Sequence, residues 1–234
     1  MRAWILVAAS LSMVSTALAE EKVARLFEIG KTDQAPIFVQ KTLVTENEKG
    51  EKNWDSKMTD AQGNLVMTEK ARIKGLEIFH QYVEQLQIQE SYELNYQDGK
   101  VTFKTFKLSE GKAPKLVETQ ERDFSEPFIM GPLTEPFLMA NWDRLTGGKA
   151  LRVDFGIFEL SKMISFQFQK IEETKDLLVV KMKPGNMFVS MLVDPMRIEL
   201  DKATKRMVRY IGRTPVRTKM KGEWKPFDSE ILYP

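Results

Sequence analysis

His80 is the only imidazole in this chain of 234 residues, and there is no Cys. Any Ser-His-Asp triad or histidine-assisted proton transfer would have to pass through that one ring. No Ser motif or acid pattern flanks it, and a half-buried histidine hydrogen-bonded by a neighbour accounts for it as well. The lack of thiols removes thiolate catalysis, Cys-based zinc sites and acylation at Cys. G-x-S-x-G, H-E-x-x-H and G-x-G-x-x-G are all missing. Gly147-Gly148-Lys149-Ala150 mimics the end of a phosphate loop. It lacks the hydroxyl residue after the Lys and the Gly five positions earlier, and reads as a helix stop. Asp154-Phe155-Gly156 spells a kinase tripeptide without the catalytic and glycine-rich loops that give it meaning. Paired carboxylates could still serve a hydrolase, but Asp143, Asp154, Glu159, Glu172 and Glu173 offer no diagnostic spacing. No loop carries the alternating Asp/Asn pattern of a calcium site. The sequence therefore names no catalytic residue, no metal and no cofactor, and leaves only the carboxylate route to an enzyme.

Two other clusters carry more information. Phe128, Met130, Phe137, Leu138, Met139 and Trp142 crowd into fifteen residues together with Ile129 and Leu133. With Phe166 and Phe168 from a neighbouring strand they can form ordinary core, or an adaptable wall around an apolar ligand. The second cluster is basic. Lys202 to Lys225 holds nine cations against one acid, Glu223, in a chain with 35 Lys plus Arg and 33 Asp plus Glu. Arg206, Arg209, Arg213 and Arg217 are its arginines. Such a run attracts anionic headgroups or an acidic partner. It also suits a solvated sheet edge that resists aggregation.

The elements that must position these residues are mostly strands. From Leu76 to Tyr96 the even positions include Leu76, Ile78, Tyr82, Leu86, Ile88, Tyr92 and Leu94, while odd positions are mostly polar. Alternate side chains of a strand face opposite ways, which places His80 on the oily face. A stretch this long exceeds one ordinary strand, so a break is expected near Glu84 or Glu90. Asp98-Gly99 is a hairpin turn, because both positions accept positive φ. Further strands are predicted over 37–45, 53–58, 64–71, 151–158, 164–171, 177–182, 187–193, 196–200 and 206–211, with Asp60 to Gly63 as one of the turns. One segment departs from this period. Thr134 is placed as N-cap and Pro136 in the first turn of a helix whose stripe is Leu138, Trp142 and Leu145, ended by Gly147-Gly148. Residues 21–27 suggest another short helix. The fold class is mainly β: a large curled antiparallel sheet or incomplete barrel with a short helical plug.

Residues 1–19 read as a signal peptide. Arg2 is the positive start, Trp4 to Val14 the apolar run, and Ala17-Leu18-Ala19 the cleavage site. The apolar run is short for a membrane-spanning helix, and no later stretch is long enough. The expected address is the periplasm, with an extracellular location as the alternative, and nucleic acid is not an expected partner. Residues 20–35 form an N-terminal segment, and 36–234 one sheet domain.

An exported meander with a helical plug and no catalytic motif resembles the LolA/LolB-like periplasmic carriers. The stretch Asp194-Pro-Met-Arg-Ile-Glu-Leu-Asp-Lys-Ala-Thr-Lys-Arg-Met-Val-Arg-Tyr210 has the strand, D-x-x-T-x-R turn and strand of such sheets. The resemblance covers residues 36 to 232 by architecture alone, and no binding residue transfers with it. It implies an incomplete barrel that holds acyl chains in its concave face. The lack of Cys departs from the lipid-anchored member. The reading that follows is a non-enzymatic envelope protein binding an apolar or acylated ligand. The alternative is an assembly module that docks a protein partner through a sheet edge or the basic C-terminal surface.

Overall fold

A computed structural model describes residues 18–124, 127–185 and 194–234. The predicted strand over 187–193 lies outside the described residues. The described residues begin in the middle of one large sheet. The chain meanders outward through β1 (Leu18–Phe27), β2 (Phe38–Glu46), β3 (Glu51–Asp60), β4 (Leu65–Lys74), β5 (Glu77–Gln85), β6 (Glu90–Gln97), β7 (Lys100–Lys107) and β8 (Lys115–Arg122). It then crosses to the opposite edge and returns through β9 (Phe128–Ile129), β10 (Leu151–Ile157), β11 (Lys162–Glu173), β12 (Leu177–Pro184), β13 (Met196–Asp201), β14 (Met207–Met220) and β15 (Glu223–Leu232). The last strand lies beside the first, giving fifteen strands ordered from β8 through β1 and β15 to β9. Every neighbouring pair is antiparallel except β9 with β10. The two edges, β8 and β9, do not pair with each other, so the sheet is curled but open.

Between β9 and β10 sit the helices α1 (Thr134–Ala140) and α2 (Trp142–Thr146), preceded by a 3₁₀ turn over Gly131–Leu133. Ile129, Leu133, Leu138 and Leu145 from this segment are buried against Ile78, Leu94 and Val101 of one wing and Val153, Phe168 and Ile198 of the other. A second cluster around Leu26, Phe38, Met58, Tyr92, Val216 and Ile231 fills the far end. Burying these side chains removes the oily face of both wings from water.

Several expectations held in detail. Asp98 and Gly99 have φ of 53° and 76° and close the β6–β7 hairpin, as an Asp-Gly turn requires. The Asp60 carboxylate accepts N–H bonds from Gln62 and Asn64, closing the predicted turn before β4. The Leu76–Tyr96 stretch breaks at residues 86–89, between β5 and β6.

Others are corrected. Residues 21–27 form no helix; they lie in β1, with Ala24 and Leu26 inward and residues 21–26 paired to β2. The sheet domain therefore starts ahead of residue 36. Thr134 is the first residue of α1 and not its cap; Leu133 holds the cap position without a side-chain bond. The single expected helix is two short ones. Asn141 interrupts them, with φ of −108° and its side-chain amide donating to the Phe137 carbonyl, 3.0 Å. His80 does not sit on the oily face. A register shift between Arg72/His80 and Ile73/Ile78 inserts one residue in β5. Beyond it Gln81, Val83 and Gln85 point inward, while His80 and Tyr82 turn outward. Strands β8 and β15 had no alternation strong enough to predict them. β14 is fourteen residues long, far beyond the predicted 206–211.

Candidate functional site

Strand directions give the sheet two ends. Leu18, the β4–β5 turn and the starts of β10 and β14 share one end with α1 and α2. Phe27, the β5–β6 turn and the β14–β15 turn share the other. At the helical end a cavity of about 430 Å³ lies between the helices, β9, β10 and the β4–β5 turn. Its apolar lining is Leu76, Phe128, Ile129, Phe137, Ala150 and Leu151, and Asn141, Arg144 and Arg152 also line it. Ile129 and Leu151 are almost wholly buried, whereas Leu76, Arg144 and Arg152 are exposed, so the oily floor opens to solvent past two guanidinium groups. The volume falls within the range of small-molecule sites, and an apolar bed with a few charged groups is their usual composition.

The eight apolar candidates separate into groups. Phe128 and Phe137 line this cavity. Met130, Leu138, Phe166 and Phe168 are buried core, with the Phe137 and Phe168 rings 6.0 Å apart. Met139 and Trp142 are half-buried, and the Lys205 ammonium lies 5.5 Å from the Trp142 ring centre. Leu76, Ala150, Arg144 and Arg152 were not singled out from the sequence. The only signal for them was proximity in the chain to the turn and helix that hold the cavity.

The helical segment is pinned at its start. Glu135 accepts from the Lys22 ammonium at 3.2 Å and from the Met207 N–H at 2.9 Å, and lies 3.4 Å from the Arg206 guanidinium. One carboxylate thus joins α1 to β1 and to the start of β14.

The C-terminal arginines do not form one patch. Arg206 pairs with Glu20 and Glu135. Arg209 bonds Glu230, which is 2% exposed, and lies 3.5 Å from Glu199. Arg213 pairs with Asp228. Arg217 sits past a bulge in β14, where its N–H donates to Gln87 Oε1 and its carbonyl accepts from Gln87 Nε2. That exchange ties the outer half of the β14–β15 hairpin to the β5–β6 turn.

A polar seam crosses the inner face between the two apolar clusters. Gln40 and Thr42 donate to Ser56 Oγ at 2.7 and 3.1 Å, and Gln81 donates to Glu69. Burial pushes the Glu69 carboxyl up to about 7, against the opposing pull of the Gln81 amide and the Trp54 indole. On the outer face a groove of about 340 Å³ runs past Asp55, Lys70, Arg72, His80 and Tyr82. There His80 Nε2 is 3.1 Å from Glu93 Oε1, the neighbour-bonded histidine the sequence allowed for. Among the described residues no three His, Asp or Glu side chains gather to hold a metal.

No protein-family model matches the chain, and no curated protein does. Two of the solved structures similar to it are as follows. One is a β-barrel-like protein of a domain of unknown function, DUF1849, from Brucella abortus. It has 9% identity and a TM-score of 0.40 over 92% of this chain and 93% of that one. The other is a porin-like protein from Bacteroides uniformis, with 9% identity and a TM-score of 0.20 over 92% and 95%. Both are described as barrel- or porin-like. Neither description names a ligand, and no activity passes from them to this chain.

Proposed function

We propose that the protein is a non-enzymatic carrier of an amphiphile in the bacterial periplasm. The acyl or other apolar portion lies in the cavity beside α1, and an anionic head rests against Arg144 and Arg152. The observation that carries this reading is the 430 Å³ cavity with an oily floor and two arginines at its mouth. A guanidinium presents a planar fork of donors that matches a carboxylate or a phosphate. The floor supplies the non-directional burial that a chain of methylene groups needs.

The test is uptake of a fluorescent fatty acid, together with native mass spectrometry after mild extraction. The protein is expected to carry a co-purified lipid and to take up the probe. Leu76→Trp fills the mouth from an exposed turn and should abolish uptake without altering the melting midpoint. Arg144→Ala with Arg152→Ala should lower affinity for a fatty acid by on the order of tenfold, while a matching alcohol loses little. A ligand-free mass together with no uptake ends the proposal.

An assembly role has one observation in its favour. The β8 edge is unpaired and exposes Leu116 and Val117, so an extended partner segment could add a strand there. Val117→Pro should then abolish partner pull-down and spare fatty-acid uptake, whereas equal capture by both proteins removes this reading.

A further inference from the structure

The end of the sheet opposite the cavity has its own chemistry. Ile29, Leu65, Leu86, Leu160, Met220 and Trp224 stand there, six of the eleven large apolar side chains that the described residues leave well exposed. They come from five separate connections: the β1–β2, β3–β4, β5–β6, β10–β11 and β14–β15 turns. One exposed apolar side chain is ordinary; a rim of them at one end marks an interaction surface. Farthest out is the β14–β15 hairpin. Its residues 223–229 run beyond Phe27, where the pairing with β1 stops.

The ion pairs described above place this hairpin in a new light. Lys202 is held by Glu173, and Arg206, Arg209 and Arg213 by acids on other strands. The basic run is therefore neutralised along most of its length. Apart from Lys205, which lies over the Trp142 ring, the surplus is left at the tip, where residues 217–225 carry Arg217, Lys219, Lys221 and Lys225 against Glu223 alone. Lys225 pairs with that Glu. Among the described residues Lys219 and Lys221 have no carboxylate partner. The Lys219 ammonium instead sits 5.5 Å from the Trp224 ring centre, and Met220 is 57% exposed.

From this placement we infer that the β14–β15 hairpin docks the protein on an anionic lipid bilayer. Trp224 and Met220 enter the headgroup boundary, and Lys219 and Lys221 meet lipid phosphates. Trp is at home at that boundary because its ring is apolar and its N–H polar. Lysines alongside buried apolar groups add electrostatic attraction that grows with anionic lipid. An acidic protein would satisfy the lysines but would not need a rim of six exposed apolar side chains from five connections beside them. The proposal does not depend on the cavity, which lies at the other end.

Flotation with vesicles tests it. Purified protein should float with equal parts phosphatidylcholine and phosphatidylglycerol, and not with phosphatidylcholine alone. Binding should weaken as salt rises. Lys219→Gln with Lys221→Gln should weaken it on the order of 30-fold, from the typical contribution of a lysine at an anionic surface. Chain-brominated lipid should quench Trp224 fluorescence in the native protein and not in Trp224→Ser. These exposed changes should leave the melting midpoint and fatty-acid uptake intact. Leu76→Trp should lose uptake and keep vesicle binding, so the two ideas fail separately. Absence of flotation with anionic vesicles overturns the inference. So does equal flotation of the double Gln variant, or capture by an acidic protein in place of lipid.

Discussion

At the scale of single residues, Glu69 makes stability depend on pH. Its carboxyl is raised from an ordinary 4.5 to about 7 in the folded protein. Between those values the folded state holds a proton that the unfolded chain gives up. The contribution is complete below about 4.5 and is lost as pH rises toward 7. The full shift corresponds to on the order of 3 kcal/mol. Glu69→Gln keeps an acceptor for the Gln81 amide and removes the charge. Thermal unfolding followed by circular dichroism should show it more stable than the native protein at pH 8 and nearly equal at pH 4. An unchanged pH profile would contradict burial as the cause. Nothing in the sequence marks Glu69, because the groups that enclose it come from three strands and meet only in the folded sheet. The arginines are similar. Their number was plain, but the acids that neutralise Arg206 and Arg209 lie in β1, β13, β15 and α1. Phe166 and Phe168 both point inward, since β10 and β11 pair without a bulge there.

At the scale of elements, alternation identified strands well and sidedness less well. The bulge in β5 costs nothing visible in composition, yet it exchanges the faces of the residues after it as far as the end of that strand. Residues 21–27, expected as a short helix, are held as a strand by pairing on both sides of β1, which overrides local preference. The helix stop at Gly147-Gly148 held, with the Gly148 N–H donating to the Leu145 carbonyl at 3.0 Å. Asp154-Phe155-Gly156 finds its explanation in packing. A methyl group on Gly156 would overlap the Met130 sulfur and press on the Phe103 ring. Gly156→Ala should therefore cost about 1–3 kcal/mol, read as a lowered melting midpoint, and that cost should shrink when the same change is made in a Met130→Ala background. A neutral Gly156→Ala would show that Met130 moves aside freely.

At the scale of the whole molecule, the open curled sheet was legible from the count of strands, the hairpin turns and the single helical interruption. The order of strands was not. Short connections told of a meander but not where it is cut, because the pairing of first with last strand leaves no local trace in sequence. That pairing is short: Arg25 with Leu232, Leu26 with Ile231 and Phe27 with Glu230. Ending the chain at Glu230 should break the joint between the wings and lower the melting midpoint sharply or split the transition in two, followed by circular dichroism.

This joint sets an order of events during biosynthesis. A polypeptide emerging amino end first completes β1 to β8 while β15, the mate on the other side of β1, is still unmade. The nascent half must wait with one flank bare until the closing residues arrive, and that interval is when a holding chaperone would matter most.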